Sequence, residues 1–196
     1  MREPTIYAVR ISEISLGEPD PGTQAEAPFL KQNIVESENQ NDRAFWGLPL
    51  PRKAWLFQSN PVLYDLRGAL GSLCEQVWSV SRYAKEIRTG DRVYLWEAGR
   101  AGGLAGVAEI AESVRLRAER PEQHPFARVV DAFAGERPRV RLRIRYVIEP
   151  VIPRQSILSL PGLSDLGVLR CSRGTNFRLN LVQWQALNDV VVSGGV

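Results

Sequence analysis

Cys74, Cys171 and His124 are the only thiols and the only imidazole of the chain, so any nucleophile, metal-ligand or proton-relay chemistry has to start from them. With one histidine and no CxxC spacing, neither a standard zinc site nor a disulfide framework can be assembled, and both cysteines are expected as free thiols. A Ser/His/Asp or Cys/His device would have to use His124, which sits in the polar run ERPEQHPF with no nucleophile motif near it. Metal-dependent nuclease chemistry needs clustered carboxylates, and Asp65, Glu75, Asp91 and Glu97 do not form a recognisable set. The expectation is a protein that binds and does not catalyse, with neither cofactor nor metal.

Binding chemistry is better represented. The formal net charge is only +3, yet of 25 basic residues all but Lys31, Lys53 and Lys85 are arginine. The planar arginine fork matches phosphate and base edges bidentately, which an ammonium cannot do. In RVRLRIRYVI, alternation puts Arg139, Arg141, Arg143 and Arg145 on one face and Val140, Leu142, Ile144 and Tyr146 on the other. Such a row is either a solvated face or a phosphate-facing one, its arginines about 6.5–7 Å apart along a strand. Arg141 and Arg143 are the phosphate candidates there, with Arg82 and Arg100 as others.

The elements that must position these groups are mostly short strands. At 196 residues the chain suits one domain with an appended N-terminal segment, placed at 1–53 and 54–196. Its apolar runs fall far short of the roughly 20 residues that span a bilayer, and its start does not resemble a signal peptide, so a cytoplasmic protein without membrane contact is expected. Thr5–Ile11 reads as a strand, and the polar, turn-rich stretch from Ser15 to Pro51 reads as a long irregular segment whose Phe45-Trp46 end docks on something. Ala54–Phe57 is a short apolar strand. Asn60-Pro61 then starts a helix to about Ala69, with Leu63, Leu66 and Leu70 on one face.

Gln76–Val80 is a strand, Arg82–Glu86 a helical turn, and Arg92–Trp96 a half-buried strand. Gly99, Gly102 and Gly103 lie between two strands, so they predict a hairpin and not a phosphate cradle, which needs a helix on one flank. Ala111–Pro125 reads as a charged connection, Ala127–Asp131 as a short strand and Arg139–Ile148 as the clearest strand. Short helices follow near Ser156–Leu160 and over Leu181–Val192, the latter opened by an Asn180/Gln183 capping box with Trp184 and Leu187 facing inward. With no βαβ rhythm, the pattern predicts an α+β protein built on a closed or nearly closed small barrel with helical insertions.

The ordered run AWLFQSNPVLYDL, QVWSV with RY behind it, GDRVYLW and the glycine hairpin into AGVAEI resembles an EVE domain, a branch of the PUA-like barrels, and is similar to the core of YTH domains. The late SRGTNFRL before a capped helix resembles the end of both families. The resemblance covers Ala54 to Val192 and implies a reader of a modified base held in an aromatic cage. EVE domains are associated with modified bases and some are sensors of modification-dependent restriction systems, whereas YTH domains read N6-methyladenine in RNA.

Carried over on matching positions, Trp78 would stack on the base, Ser79 would meet its edge through the backbone, Ser59-Asn60 would bring an amide to it, and Arg173 would contact phosphate. No tryptophan follows the hairpin where YTH domains have their second cage aromatic, so Phe126, Trp96 or Trp46 has to substitute; Tyr64 and Tyr83 are further candidates. A nucleic-acid partner with a modified base is expected, DNA favoured over RNA, with a nuclease or motor effector on the same natural protein or another chain. A YTH-like reader of modified RNA and a protein-interaction barrel that binds no nucleic acid remain the alternatives.

Overall fold

Apolar side chains in Ala54–Ser59 (β1) and Arg92–Glu97 (β3) are buried without alternation, so both strands are packed on two faces and the half-buried reading of β3 is corrected. The structure is a computed structural model and describes residues 51–171 and 174–193. The N-terminal readings, Trp46 among them, and Arg173 of the late segment lie outside the described residues. On one face Trp55, Phe57, Val93 and Leu95 join a core with Leu66, Leu70, Trp78, Val140 and Leu142. The other face, with Leu56, Tyr94 and Trp96, is also buried, and there the Tyr94 hydroxyl donates to Asn188 Oδ1 (3.4 Å). Asn188 belongs to the last helix, Leu181–Ser193 (α4). Two-sided burial is why AWLF and VYLW read as continuous apolar runs.

Six strands among the described residues form one mixed sheet in the order β2-β5-β4-β3-β1-β6, with β1 parallel to β3 and the remaining neighbours antiparallel. Glu75–Ser79 is β2, Gly103–Arg117 is β4, Arg137–Pro153 is β5 and Asn176–Arg178 is β6. The β3–β4 connection is the expected glycine hairpin; Gly99 has φ +98°, and a Cβ on Gly103 would meet the Ile152 carbonyl oxygen. Strand β4 runs on to Arg117, where a charged connection was expected, because β5 is long enough to pair with it as far as Arg137 through several register shifts. Strand β5 passes Pro150 for the same reason: no pairing is made between Val147 and Ile152, so the proline takes no ladder hydrogen bond.

The expected helix from Pro61 is displaced. Asn60 Oδ1 accepts from Val62 N–H (3.0 Å) in a local turn, and the helix itself is Leu66–Ser72 (α1), capped by Asp65 through Gly68 N–H (3.2 Å). An Asx turn and an N-cap use the same side-chain acceptor, which is why Asn-Pro misled. Instead of a strand at Ala127–Asp131 there is a single bridge, Ala127 to Tyr64, followed by a 3-10 turn at Val130–Ala132. Arg154–Leu158 (α2) and Gly167–Arg170 (α3) are short helices, and α4 carries the Asn180/Gln183 capping box with reciprocal bonds of 2.8 and 3.1 Å.

The sheet is not closed by a ladder, so of the closed or nearly closed barrel that was expected the open form is found. Its edge strands are joined by a side chain instead. Asn176 Nδ2 donates to Ser79 O (3.3 Å) and its Oδ1 accepts from Ser81 N–H (3.0 Å), so one amide does the work of a peptide across the seam. Asn176 is 1% exposed. Asn176→Ala should leave both main-chain groups unpaired and lower stability by about 1–3 kcal/mol, read as a shift in the urea midpoint with unchanged slope. A midpoint equal to that of the parent protein would show that water replaces the amide without loss.

Candidate functional site

The same edge of β2 builds a cavity. Val80 N–H donates to Pro138 O and Ile144 N–H to Cys74 O, which directs the even-numbered residues of β2 toward β5 and turns the main-chain groups of Val77, Ser79 and Ser81 to the open edge. Gln123, in the 3-10 turn Pro121–Phe126, claims Val77: its Oε1 accepts from Val77 N–H (2.6 Å) and its Nε2 donates to Val77 O (3.2 Å). Asn176 claims Ser79 O and Ser81 N–H. Between these two amides the Ser79 N–H has no partner among the described residues. It lies on the wall of a cavity of about 320 Å³.

Aromatic rings form much of that wall. Trp78, 8% exposed, packs on Phe57 with ring centroids 6.0 Å apart, and Tyr64 meets Phe133 edge to face at 5.6 Å. Trp78, Tyr64 and Phe133 all line the cavity, with Leu63 and Val77 as apolar neighbours. The Tyr64 hydroxyl is held by Gln123 Nε2 (3.4 Å) and stands 3.5 Å from Gln76 Oε1. Burial pushes its pKa up to about 12, against the Gln123 hydrogen bond, so the ring stays neutral at any physiological pH.

The polar side of the cavity carries Gln58, Ser59 and Asn60 from the end of β1, Gly174 and Thr175 from the turn before β6, and two charged residues, Glu119 and Arg139. Arg139 is 1% exposed and donates to the carbonyl oxygens of Arg117 (2.9 Å) and Phe133. It thereby clasps both ends of the connection that carries Glu119, Gln123 and Phe133. Burial lowers its pKa and raises that of Glu119, the latter against the pull of His124, Arg139 and Arg137.

Of the residues singled out in the sequence, Trp78, Ser79, Asn60, Ser59 and Tyr64 meet in this cavity. Trp96 does not; it is buried on the opposite face of the sheet. Phe126 packs against the core, and its carbonyl accepts from Asp65 N–H (2.8 Å). Tyr83 is exposed, has φ +62° and lies against Trp55 at 5.4 Å. Phe133, Gln123, Glu119 and Arg139 were missed as site residues. Phe133 was the legible one, being the sole aromatic between Phe126 and Tyr146.

The arginine row is different from a bare basic strip. Arg141 pairs with Glu112 (2.9 Å) and Glu75 (3.8 Å), Arg143 with Glu75 (3.4 Å) and Arg145 with Glu109 (2.8 Å), while Arg139 turns inward. Arg82 makes no ion pair among the described residues and follows Ser81, whose hydroxyl is 2.7 Å from Thr175 Oγ1 on the cavity wall. The carboxylates considered for metal chemistry are separately engaged: Asp65 caps α1, Asp91 accepts from the Trp55 indole (2.8 Å), and Glu97 pairs with Arg67 (2.7 Å). Among the described residues no group of three His, Cys, Asp or Glu could hold a metal ion, and no helix is long and apolar enough to cross a membrane.

A mixed six-stranded sheet with short helices, and an aromatic-walled cavity at the seam of its two edge strands, define an α+β domain. The family model of the EVE domain matches residues 53–190, and the chain belongs to that family. No curated protein matches the sequence. Among solved structures the chain is similar to human THYN1 protein in complex with 5-methylcytosine containing DNA, at 14% identity and TM-score 0.50, covering 70% of this chain and 96% of that one. It is also similar to a Pseudomonas putida protein (22% identity, TM-score 0.50, 73% and 99% covered) and to protein Atu2648 of Agrobacterium tumefaciens (13%, 0.51, 74% and 94%). At these identities the likeness speaks for the fold.

Proposed function

We propose that this EVE domain is a non-catalytic reader that takes one flipped-out modified base of DNA into the Trp78 cavity, as the sensor of a modification-dependent restriction or defence system. The observation that carries the reading is the juxtaposition of an aromatic face, Trp78, with an uncommitted edge donor, Ser79 N–H, in a cavity of about 320 Å³. A planar base needs both, and stacking on an aromatic is worth about 1–3 kcal/mol per base. The complex of human THYN1 with 5-methylcytosine containing DNA supports a methylated base as occupant. Extracting a base from a duplex costs a few kcal/mol, which phosphate contacts offset. Arg82 is the first candidate for them, with Arg173 and, once their carboxylate partners are exchanged for phosphate, Arg141 and Arg143.

The test is a set of affinities for short DNA and RNA oligonucleotides bearing 5-methylcytosine, 5-hydroxymethylcytosine, N6-methyladenine or no modification, each over a salt series. One modified DNA should bind about tenfold or more tighter than its unmodified parent, the expected worth of a methyl in a fitted pocket. Arg82→Gln should flatten log K against log salt by about one unit. Equal binding of all oligonucleotides would end the reader proposal, preference for modified RNA would move it to the YTH-like alternative, and absence of salt-dependent binding would favour a protein-interaction barrel.

A further inference from the structure

Glu119 is out of place in a cavity meant only for stacking. Its side chain is 9% exposed and lines the cavity, yet it makes no hydrogen bond among the described residues, and the nearest basic side chain is His124, with Nε2 at 3.9 Å. An ionised carboxylate only accepts hydrogen bonds, and one that faces a cavity without a protein donor of its own is open to a donor brought in by a ligand. The titratable groups around it are Arg139 and Arg137 on β5, His124 on the 3-10 turn and Tyr64 before α1, and burial outweighs the pull of His124, Arg139 and Arg137 and raises its pKa. A carboxylate also repels phosphate. The part of a nucleotide it can welcome is a base donor.

Resting on the reader proposed above, we infer that Glu119 is a specificity-determining residue. It accepts a hydrogen bond from the exocyclic amino group of the bound base, so that the cavity takes an amino-bearing base and refuses an oxo-pyrimidine of the same size. The Ser79 N–H and the Glu119 carboxylate would then serve as the fixed donor and the fixed acceptor of one polar edge, with Trp78 supplying the face. A carbonyl oxygen in place of the amine would set two acceptors against each other.

5-Methylcytosine and thymine make the test clean, because both carry the 5-methyl group and they differ on the pairing edge. Affinities of the parent protein, Glu119→Gln and Glu119→Ala are measured for two single strands that differ only in this base. The parent should prefer 5-methylcytosine by about tenfold or more, the worth of a hydrogen bond to a charged group. Glu119→Gln, whose amide offers a donor and an acceptor, should bind both strands within about threefold of each other. Glu119→Ala should lose affinity for 5-methylcytosine and keep its affinity for thymine. A parent that binds both strands equally, or a preference unchanged in Glu119→Gln, overturns the inference and leaves the reader intact. A parent that binds neither strand overturns the inference, while the reader itself stands or falls on the wider set of modified oligonucleotides above.

Discussion

Trp78→Leu should lose about 1–3 kcal/mol of binding to a modified oligonucleotide, about 5- to 150-fold in affinity, where Trp78→Phe loses no more than a few-fold. Leucine fills part of the volume and offers no π face; phenylalanine keeps one. The choice of variants matters because Trp78 is also core: it is 8% exposed, belongs to the main cluster and packs on Phe57 at 6.0 Å. Truncation to alanine would cost the fold about 3–5 kcal/mol and confuse loss of binding with loss of structure. Stability of both variants is read from urea unfolding, and affinity at a temperature where both are folded. If the leucine variant binds as tightly as the phenylalanine variant, the ring is there for packing and the base does not stack on it.

That dual role shows why Trp78 could be picked out in the sequence while its surroundings could not. Strand β2 was read from QVWSV, and its tryptophan was singled out by the resemblance to a Val-Trp-Ser strand; the hairpin was legible from its glycines between two strands, and the arginine strand from its period-two pattern. The groups that complete the cavity come from the connection after β4, where no periodicity exists. Gln123 is a polar residue in a charged loop by sequence; only the geometry of the β2 edge shows its amide standing in for a missing strand. Asn176 does the same two residues further along that edge. Side-chain amides that imitate peptides carry no pattern of their own.

Alternation also misled, at Arg139. It placed four arginines on an outer face, and three of them are there, paired with Glu75, Glu109 and Glu112. These acids lie on β2 and β4, directly across the ladder from Arg143, Arg141 and their neighbours, so cross-strand pairing decides how free each cation is. The register was needed to see this. Ion pairs this exposed contribute little to stability, and phosphate can compete for their arginines.

Arg139 itself should be the second large effect. Its guanidinium reaches Arg117 O and Phe133 O, the two ends of the connection from which Phe133, Gln123 and Glu119 enter the cavity. Arg139→Met keeps most of the packed stem and removes the fork. Relief from burying a charge works in favour of the variant, since burial already lowers the arginine's pKa. The two carbonyls left without donors work against it, at about 1–3 kcal/mol each, and methionine cannot satisfy either. The second effect should win locally: amide hydrogen exchange over residues 118–136 should accelerate while the β1 and β3 amides stay protected, and affinity for a modified oligonucleotide should fall by more than tenfold. Arg139→Lys, which keeps the charge and can reach one carbonyl, should recover part of the affinity. Unaltered exchange over 118–136 in Arg139→Met would show that the connection is held by its own 3-10 turns, and Arg139 would then be a buried charge without a positioning role.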